Sequence, residues 1–543
     1  MLKLYAQARD CLSAIRRLAD ARRRASQFGT DERGVVAMIF AITFCAIFLA
    51  VAVAIDFART ETEYVRVQNA TDAAALAASH RLGLPDEQTS GPAYASAYFE
   101  ANTIKHKDVG TLNSVSLDAD KGEVQAKARG NMLTSLLKAV GIKEIGFGVG
   151  ALVKKGKGTI EVALVLDNSG SMAGQPIVDL RTATQNLVNV LYAGYEGTDK
   201  VKISLVPFAA AVNVGTQNQG AAWIDATGAS PVHYENFAEP KTRFQALSDM
   251  GVAWAGCVEV RPSPHDVTDS PASAGTPASL FVPMFNPDEP DSANSGGNSY
   301  NNNYIPDDGG TCPQPELTCL RTNSRGNCTT WSTPPPIPPA EAQARTCKYQ
   351  GASIGTAQGP NYRCDSKPIL PLTTDKASVL GVVQTMIAKG GTNILEGLMW
   401  GWRVLSPEAP FTEGRAYGDP ENSKYIILMT DGENWHQAMS NHNKSTYHSF
   451  GYASKGRLGT TYTTTALINQ MNSKTLAACQ NAKAAGIKVY TVAFRLENDA
   501  NTRAMLTSCA SSAAEAYAAS DGTTLVQSFE SIAREIAKLR IAG

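Results

Sequence analysis

The hydrophobic pattern divides the chain into segments of different period. Residues 34–55 form a 22-residue run without charge. As a helix of about 33 Å it is long enough to cross the hydrocarbon core of a bilayer. Helix-forming composition continues through Asp56-Phe57-Ala58 to the Ala-rich residues 70–78, with no breaker before Gly83 and Pro85. Apolar and polar positions then alternate over 114–117 and 124–128. The pattern predicts a helix around 132–139 and a strand over 145–153. Residues 56–155 therefore read as the continuing helix plus a small α+β unit, too small to be a catalytic domain.

From residue 156 strands and helices take turns. An apolar strand over 159–166 precedes a helix over 176–193, which has Ile177, Leu180, Thr184, Leu187 and Leu191 on one face and Gly194 as its stop. A strand over 201–207 follows. Between about 208 and 369 the pattern breaks into Pro, Asn, Gly and Ser, including residues 295–303 and 334–339. It resumes near Leu370 with an amphipathic segment holding Val379, Val383 and Met386 on one face. A continuous apolar strand over 425–430, a helix over 473–485, a strand over 488–494, a short helix over 502–506 and a closing helix over 525–539 complete it. This alternation predicts an α/β fold: a doubly wound, Rossmann-like parallel sheet over 156–543, interrupted by an insertion.

Charge informs only the front of the chain. A formal net charge of −1 argues against a nucleic-acid partner. The first 33 residues hold eight Lys or Arg, whereas the fifteen after the apolar run hold only Arg59 and Arg66. The positive-inside rule then places segment 1–33 in the cytoplasm and the bulk outside it. Small-x-small triplets at 50–52 and 52–54 fit a cleaved signal peptide, but the apolar run exceeds the roughly 7–15 residues of a signal h-region. The run is read as a single-pass anchor.

Cysteine usage agrees with that orientation. Cys11 and Cys45 precede or lie within the apolar run, leaving Cys257, Cys312, Cys319, Cys328, Cys347, Cys364, Cys479 and Cys509 beyond it. An even number suits disulfides in an oxidising compartment, and no C-x₂-C or matching His pair suggests zinc. Six of the eight lie in the insertion, which lacks helical periodicity and needs staples. Cys479 lies on the helix before the strand over 488–494, and Cys509 follows the short helix beyond it. The two are expected to pair with each other, the alternative being two buried free thiols, while the other six pair among themselves.

The chemistry concentrates where strands end. Asp167-Asn168-Ser169-Gly170-Ser171 places a carboxylate and two hydroxyls on the loop leaving the first strand. Oxygen donors of this kind suit a hard cation that retains waters and an open position. Taken alone the pentad is equally a Ser/Asp turn capping a helix. Two further pieces follow in order: Gly390-Gly391-Thr392-Asn393, offering the Thr392 hydroxyl, and Asp431-Gly432 at the end of the strand over 425–430. In a doubly wound sheet these carboxyl ends are where ligands sit.

The ordered triple resembles the metal-ion-dependent adhesion site of von Willebrand factor A domains, whose signature is D-x-S-x-S. The resemblance implies that Asp167, Ser169, Ser171, Thr392 and Asp431 bind Mg²⁺, or Mn²⁺ or Ca²⁺, and that an acidic side chain of a protein partner completes the shell. At the other end, Arg33-Gly34, the apolar run, Asp56 and residues 71–77 resemble the N-terminal region of TadE/TadG-like proteins of tight-adherence (Flp) pilus systems. Pilin-like members of that system are cut after Gly and carry Glu at the fifth mature position. Here that position is Ile39, which favours a retained anchor. The two resemblances imply a pilus-assembly protein anchored in the bacterial inner membrane, its bulk periplasmic, surface-exposed or shed. The alternatives are a secreted or surface adhesin and, opposed by the anchor and the cysteines, the A-domain subunit of an ATPase or chelatase machine.

Other signals point nowhere. Gly156-Lys157-Gly158-Thr159 lacks the Lys-Ser/Thr step of a phosphate loop. His436, His442 and His448, spaced by six, read as a solvated loop. Trp254, Cys257 and Glu259 read as anchors of the insertion. No pairing of nucleophile and base stands out, so no enzyme activity and no small-molecule substrate are expected.

Overall fold

In the computed structural model the described residues are 35–82, 86–103, 109–118, 123–154, 158–291, 300–314, 316–333, 337–355, 358–419 and 421–542. The basic segment 1–33, the helix stop at Gly83 and Pro85, Gly156-Lys157, residues 295–299 of the Asn/Ser/Gly run and Pro334–Pro336 lie outside them. The chain divides into two compact units, residues 1–155 and 156–543.

With no Gly or Pro between its ends, α1 (Val35–Ser79) is one uninterrupted helix. Its first half exposes Val36, Phe40, Phe44 and Ile47, and is long and apolar enough to cross a membrane. Its second half buries Val67, Ala70, Ala74 and Ala78. The small Ala side chains let α2 (Glu87–Thr103) and the antiparallel strands β1 (Gly110–Asp118), β2 (Glu123–Leu133) and β3 (Glu144–Lys154) close around them. Helix α2 is absent from the sequence reading because Gly91 and Pro92 lie within it.

The helix expected around 132–139 is corrected. Strand β2 runs on to Leu133, and only a 3₁₀ turn, Leu137–Val140, follows. The Asp56 carboxylate on α1 accepts from the backbone N–H groups of Ser135, Leu136 and Leu137 at 2.8–2.9 Å, holding that turn open-ended. Gly141, at φ +93°, stops it.

In the second unit β4 (Thr159–Asp167), α3 (Gln175–Tyr192) and β5 (Val201–Phe208) lead into the insertion. The insertion carries α4 (Arg243–Asp249), a hairpin of β6 (Cys319–Thr322) and β7 (Cys328–Trp331), and α5 (Pro339–Ala344). The sheet domain resumes with β8 (Leu370–Thr373), α6 (Lys376–Thr385), α7 (Ile394–Arg403), β9 (Asn422–Thr430), α8 (Thr464–Ala484), β10 (Lys488–Phe494), α9 (Ala500–Cys509), β11 (Ala516–Ala519) and α10 (Gly522–Ala542). The sheet order is β11-β10-β9-β4-β5-β8, parallel except for the antiparallel edge strand β8. This is the doubly wound α/β architecture, with both faces of the central strands buried.

Helices α3, α6 and α10 cover one face, burying Leu180, Leu187, Val383 and Phe529. The other face is covered by α7, α8 and the insertion, which contributes Trp223, Phe281 and Phe285 to one core with Trp400 and Leu398. Helix α7 lies against the sheet because Gly397 and Gly401 have no side chains. A Cβ at Gly401 would come within 2.3 Å of Val165.

Three disulfides hold the insertion: Cys257–Cys364, Cys312–Cys347 and Cys319–Cys328. A fourth, Cys479–Cys509, joins α8 to α9 across β10. Trp254 is buried and donates its indole N–H to the Cys257 carbonyl at 2.8 Å. Glu259, also buried, pairs with Arg243, with Arg457 at 2.7 Å and with the Tyr447 hydroxyl. The two ends of the insertion meet: Ile369 N–H donates to the Asn213 carbonyl at 2.8 Å, and the Asn213 side-chain amide donates to the Ser366 carbonyl at 3.2 Å.

Candidate metal-binding loop cluster

Three loops come together at the carboxyl ends of β4 and β9. Backbone bonds join the first two: Gly170 N–H donates to the Gly390 carbonyl at 2.9 Å, and Lys389 N–H to the Asn168 carbonyl at 2.8 Å. The third is tied to the second by Trp435 N–H, which donates to the Thr392 carbonyl at 2.8 Å. Asn393 caps α7 through Glu396 N–H at 3.2 Å, so the Gly-Gly-Thr loop is held at both its ends.

All five expected residues face one another there. The Asp167 carboxylate is buried and accepts from Ser169 N–H at 2.7 Å. The Ser169 and Ser171 hydroxyls lie 2.9 Å apart, and Ser171 donates to Asp431 at 2.6 Å. Thr392 is placed by Gly432: a Cβ on that glycine would stand 3.8 Å from the Thr392 hydroxyl and 3.9 Å from that of Ser171. A residue missed in sequence completes the set. The Thr430 hydroxyl donates to the second oxygen of Asp167 at 2.6 Å, and its position directly before Asp431 at a strand end was the available signal.

Burial pushes the Asp167 carboxyl up to about 7, helped by the neighbouring negative charge of Asp431. Burial also raises Asp431, against hydrogen bonds from Ser171 and Ser169 that lower it. Among the described residues no Lys or Arg forms an ion pair with either carboxylate. No cluster of three or more His, Cys, Asp or Glu occurs among the described residues, so a cation here would rest on two carboxylates and hydroxyls. Two crowded carboxylates, with Arg495 acting on Asp431 only from beyond ion-pair distance and faced by three hydroxyls, fit the all-oxygen chemistry of a hard divalent ion.

The histidines differ from expectation. His436 and His448 are buried with rings stacked at 4.7 Å, and His436 shares hydrogen bonds with the Ser445 hydroxyl and the Thr446 carbonyl. Burial lowers His436 to about 4, so it is a neutral packing residue. The loop after Asp431 is folded rather than solvated: Phe450 stacks on His448 with ring centroids 5.9 Å apart, and Tyr447 and Tyr452 are buried against each other. Only His442 is partly open, bonded to the Tyr300 hydroxyl at 2.9 Å.

Residues 34–81 match the sequence family described as "Putative Flp pilus-assembly TadE/G-like". A search of curated proteins returns no match. Among solved structures, the chain is similar to the von Willebrand factor domain of the type V pili tip protein Mfa5 from Porphyromonas gingivalis, at 11% identity over 71% of this chain and 97% of that one, with a TM-score of 0.33. It is similar to the pilus adhesin SpaC from Lactobacillus rhamnosus GG, at 12% identity over 79% of this chain and 34% of that one, TM-score 0.32. The PilB minor pilin from Streptococcus sanguinis gives 11% identity over 79% and 78%, TM-score 0.31. The chain thus joins a segment that matches the TadE/G-like family model to a doubly wound α/β domain.

Proposed function

We propose that this chain is a membrane-anchored component of Flp pilus assembly that binds a protein partner through a divalent cation, Mg²⁺ by preference. The observation that carries the reading is the convergence of Asp167, Ser169, Ser171, Thr392 and Asp431 from three loops at one end of the sheet. When bound, the cation would supply a Lewis-acidic position that a partner's carboxylate can fill. Asp167 and Asp431 hold the charge, and Thr430 and the Ser169 backbone orient Asp167. The TadE/G-like segment and the apolar half of α1 support assembly at a membrane, with the inner membrane and a periplasmic bulk as the reading that fits the basic front of the chain. The role is binding rather than catalysis, since the hydroxyls are disposed as ligands and His436 and His448 are buried away as a packed pair.

Calorimetry on the full chain in detergent, titrated with MgCl₂ and then MnCl₂, should show saturable binding that Asp167→Ala abolishes. Undiminished binding in that variant overturns the assignment. Ser169→Ala and Thr392→Ala should keep the fold and lose pilus-dependent adhesion; retention in both would make the site structural.

A further inference from the structure

The connection between β2 and β3 shows an unusual surface for a polar compartment. Leu133, Val140 and Ile142 are 73%, 59% and 48% exposed, while the polar Thr134 at its base is buried. The turn lies along α1. Leu136 and Val140 line one apolar pocket with Phe44, Phe48 and Ala52. Those α1 residues stand four to twelve positions before Asp56, roughly 6–18 Å along the helix axis toward the N-terminus. The turn therefore runs beside residues of the apolar run itself, not beyond its end.

Its backbone is satisfied from within. Asp56 takes three N–H groups, Thr134 N–H donates to the Lys143 carbonyl at 3.0 Å, and Gly141 and Ile142 donate to Lys138 and Leu137 at 3.1 and 3.2 Å. The Thr134 hydroxyl donates to the Ile142 carbonyl at 2.5 Å. Irregular backbone is not exposed to lipid within the hydrocarbon, so a turn paired in this way can lie at the headgroup–acyl boundary with only its apolar side chains reaching the hydrocarbon. Arg59 on α1, which also donates to the Ser135 hydroxyl, is half exposed, and Lys138 and Lys143 are exposed on the turn. Long cationic side chains on such a rim can reach lipid phosphates while their stems stay apolar.

We infer that the β2–β3 turn is a second membrane contact, seating the side chains of Leu133, Val140 and Ile142 at the headgroup–acyl boundary of the leaflet where α1 leaves the bilayer, with Arg59, Lys138 and Lys143 at the anionic headgroups. The occupant is lipid because the surface is continuous with the exposed apolar face of α1 at Phe44 and Phe48. The turn and Asp56 then fix the height and rotation of the first unit at the membrane, where a single helix alone leaves both free.

This rests on α1 spanning the bilayer, and the experiment separates the two. The full chain, with Cys11 and Cys45 replaced by Ser, carries a bimane label at Val140→Cys, Leu133→Cys, Ile47→Cys or Leu152→Cys. It is reconstituted into vesicles of phosphatidylethanolamine and phosphatidylglycerol. Labels at 140 and 133 should lose about half their emission to doxyl-labelled lipid and be several-fold less quenched by iodide than the label at exposed Leu152. If the label at 47 is quenched by doxyl lipid while those at 140 and 133 are open to iodide, the inference falls and the anchor stands. If none is quenched by lipid, both fall. Shielding from iodide at 140 without lipid quenching places a protein there and overturns the inference too.

Discussion

On one face of the six-stranded sheet, α3, α6 and α10 bury Leu180, Leu187, Val383 and Phe529 in the regular register of amphipathic helices. On the other face α7 and α8 share the work with a long insertion of little regular structure, held by three disulfides and by Arg243, Glu259 and Arg457. The first face is stabilised by burying apolar area along helices whose backbones satisfy themselves. The second must place irregular backbone over a core, so its order depends on crosslinks and buried polar contacts. The faces should respond to mutation in different ways.

The largest response is expected at Glu259. Burial pushes its carboxyl up, but Arg243 and Arg457 outweigh this and hold it below its ordinary range. Glu259→Ala leaves the buried Arg243 guanidinium without a carboxylate and Arg457 with Glu235 alone, and should destabilise by roughly 4 kcal/mol, read from urea midpoints of the full chain in detergent. A loss under about 1 kcal/mol would mean that the pair adds nothing to the insertion's hold.

Next is Cys257–Cys364, which closes a separation of 107 residues. Replacing both by Ser should cost about 3 kcal/mol and raise proteolysis within the insertion before the sheet opens. Simultaneous cleavage in both regions would show that the two faces do not separate in stability.

The loop cluster at the strand ends should respond to pH. Asp167 is raised from 3.8 to about 7 in the folded chain. Between these values the unfolded chain releases a proton that the folded chain keeps, so without divalent cation stability falls as pH rises from about 4 to about 7, then levels. The drop should be on the order of 2 kcal/mol between pH 5 and 7.5 in chelator, and Asp167→Asn should remove it. A pH-independent midpoint in the wild-type chain would refute the raised carboxyl.

The smallest effect is expected on the regular face, where Ile177→Val on α3 should cost about 1 kcal/mol by loss of one buried methylene. A cost above about 3 kcal/mol would erase the contrast between the faces.

Legibility in sequence follows the same division. Strands β4, β5, β9 and β10 and helices α3 and α10 show their period because each sees a uniform environment along one face or both. The convergence of Asp167, Ser169, Ser171, Thr392 and Asp431 could be read because these polar residues sit at strand ends and each marks one of three loops. Thr430 escaped because a Thr inside an apolar strand looks like strand filling, although its hydroxyl serves Asp167. Pairing Cys479 with Cys509 was readable since both flank β10, whereas the partners of Cys257 and Cys312 depend on how the insertion folds in three dimensions. His436 and His448 misled because loop composition says nothing of a neighbour such as Phe450 that comes to stack on His448. The turn at 137–140 misled because a carboxylate about 80 residues earlier, Asp56, competes with helix formation there.

The insertion leaves β5 and returns to β8 with Asn213 touching both Ser366 and Ile369. A segment whose two ends are stitched at one point behaves as a cassette. Its length and sequence can drift, or be exchanged whole, while the strands that hold Asp167 and Asp431 keep their register. The crossing at Asn213 is therefore the natural junction for grafting one such insertion onto another chain.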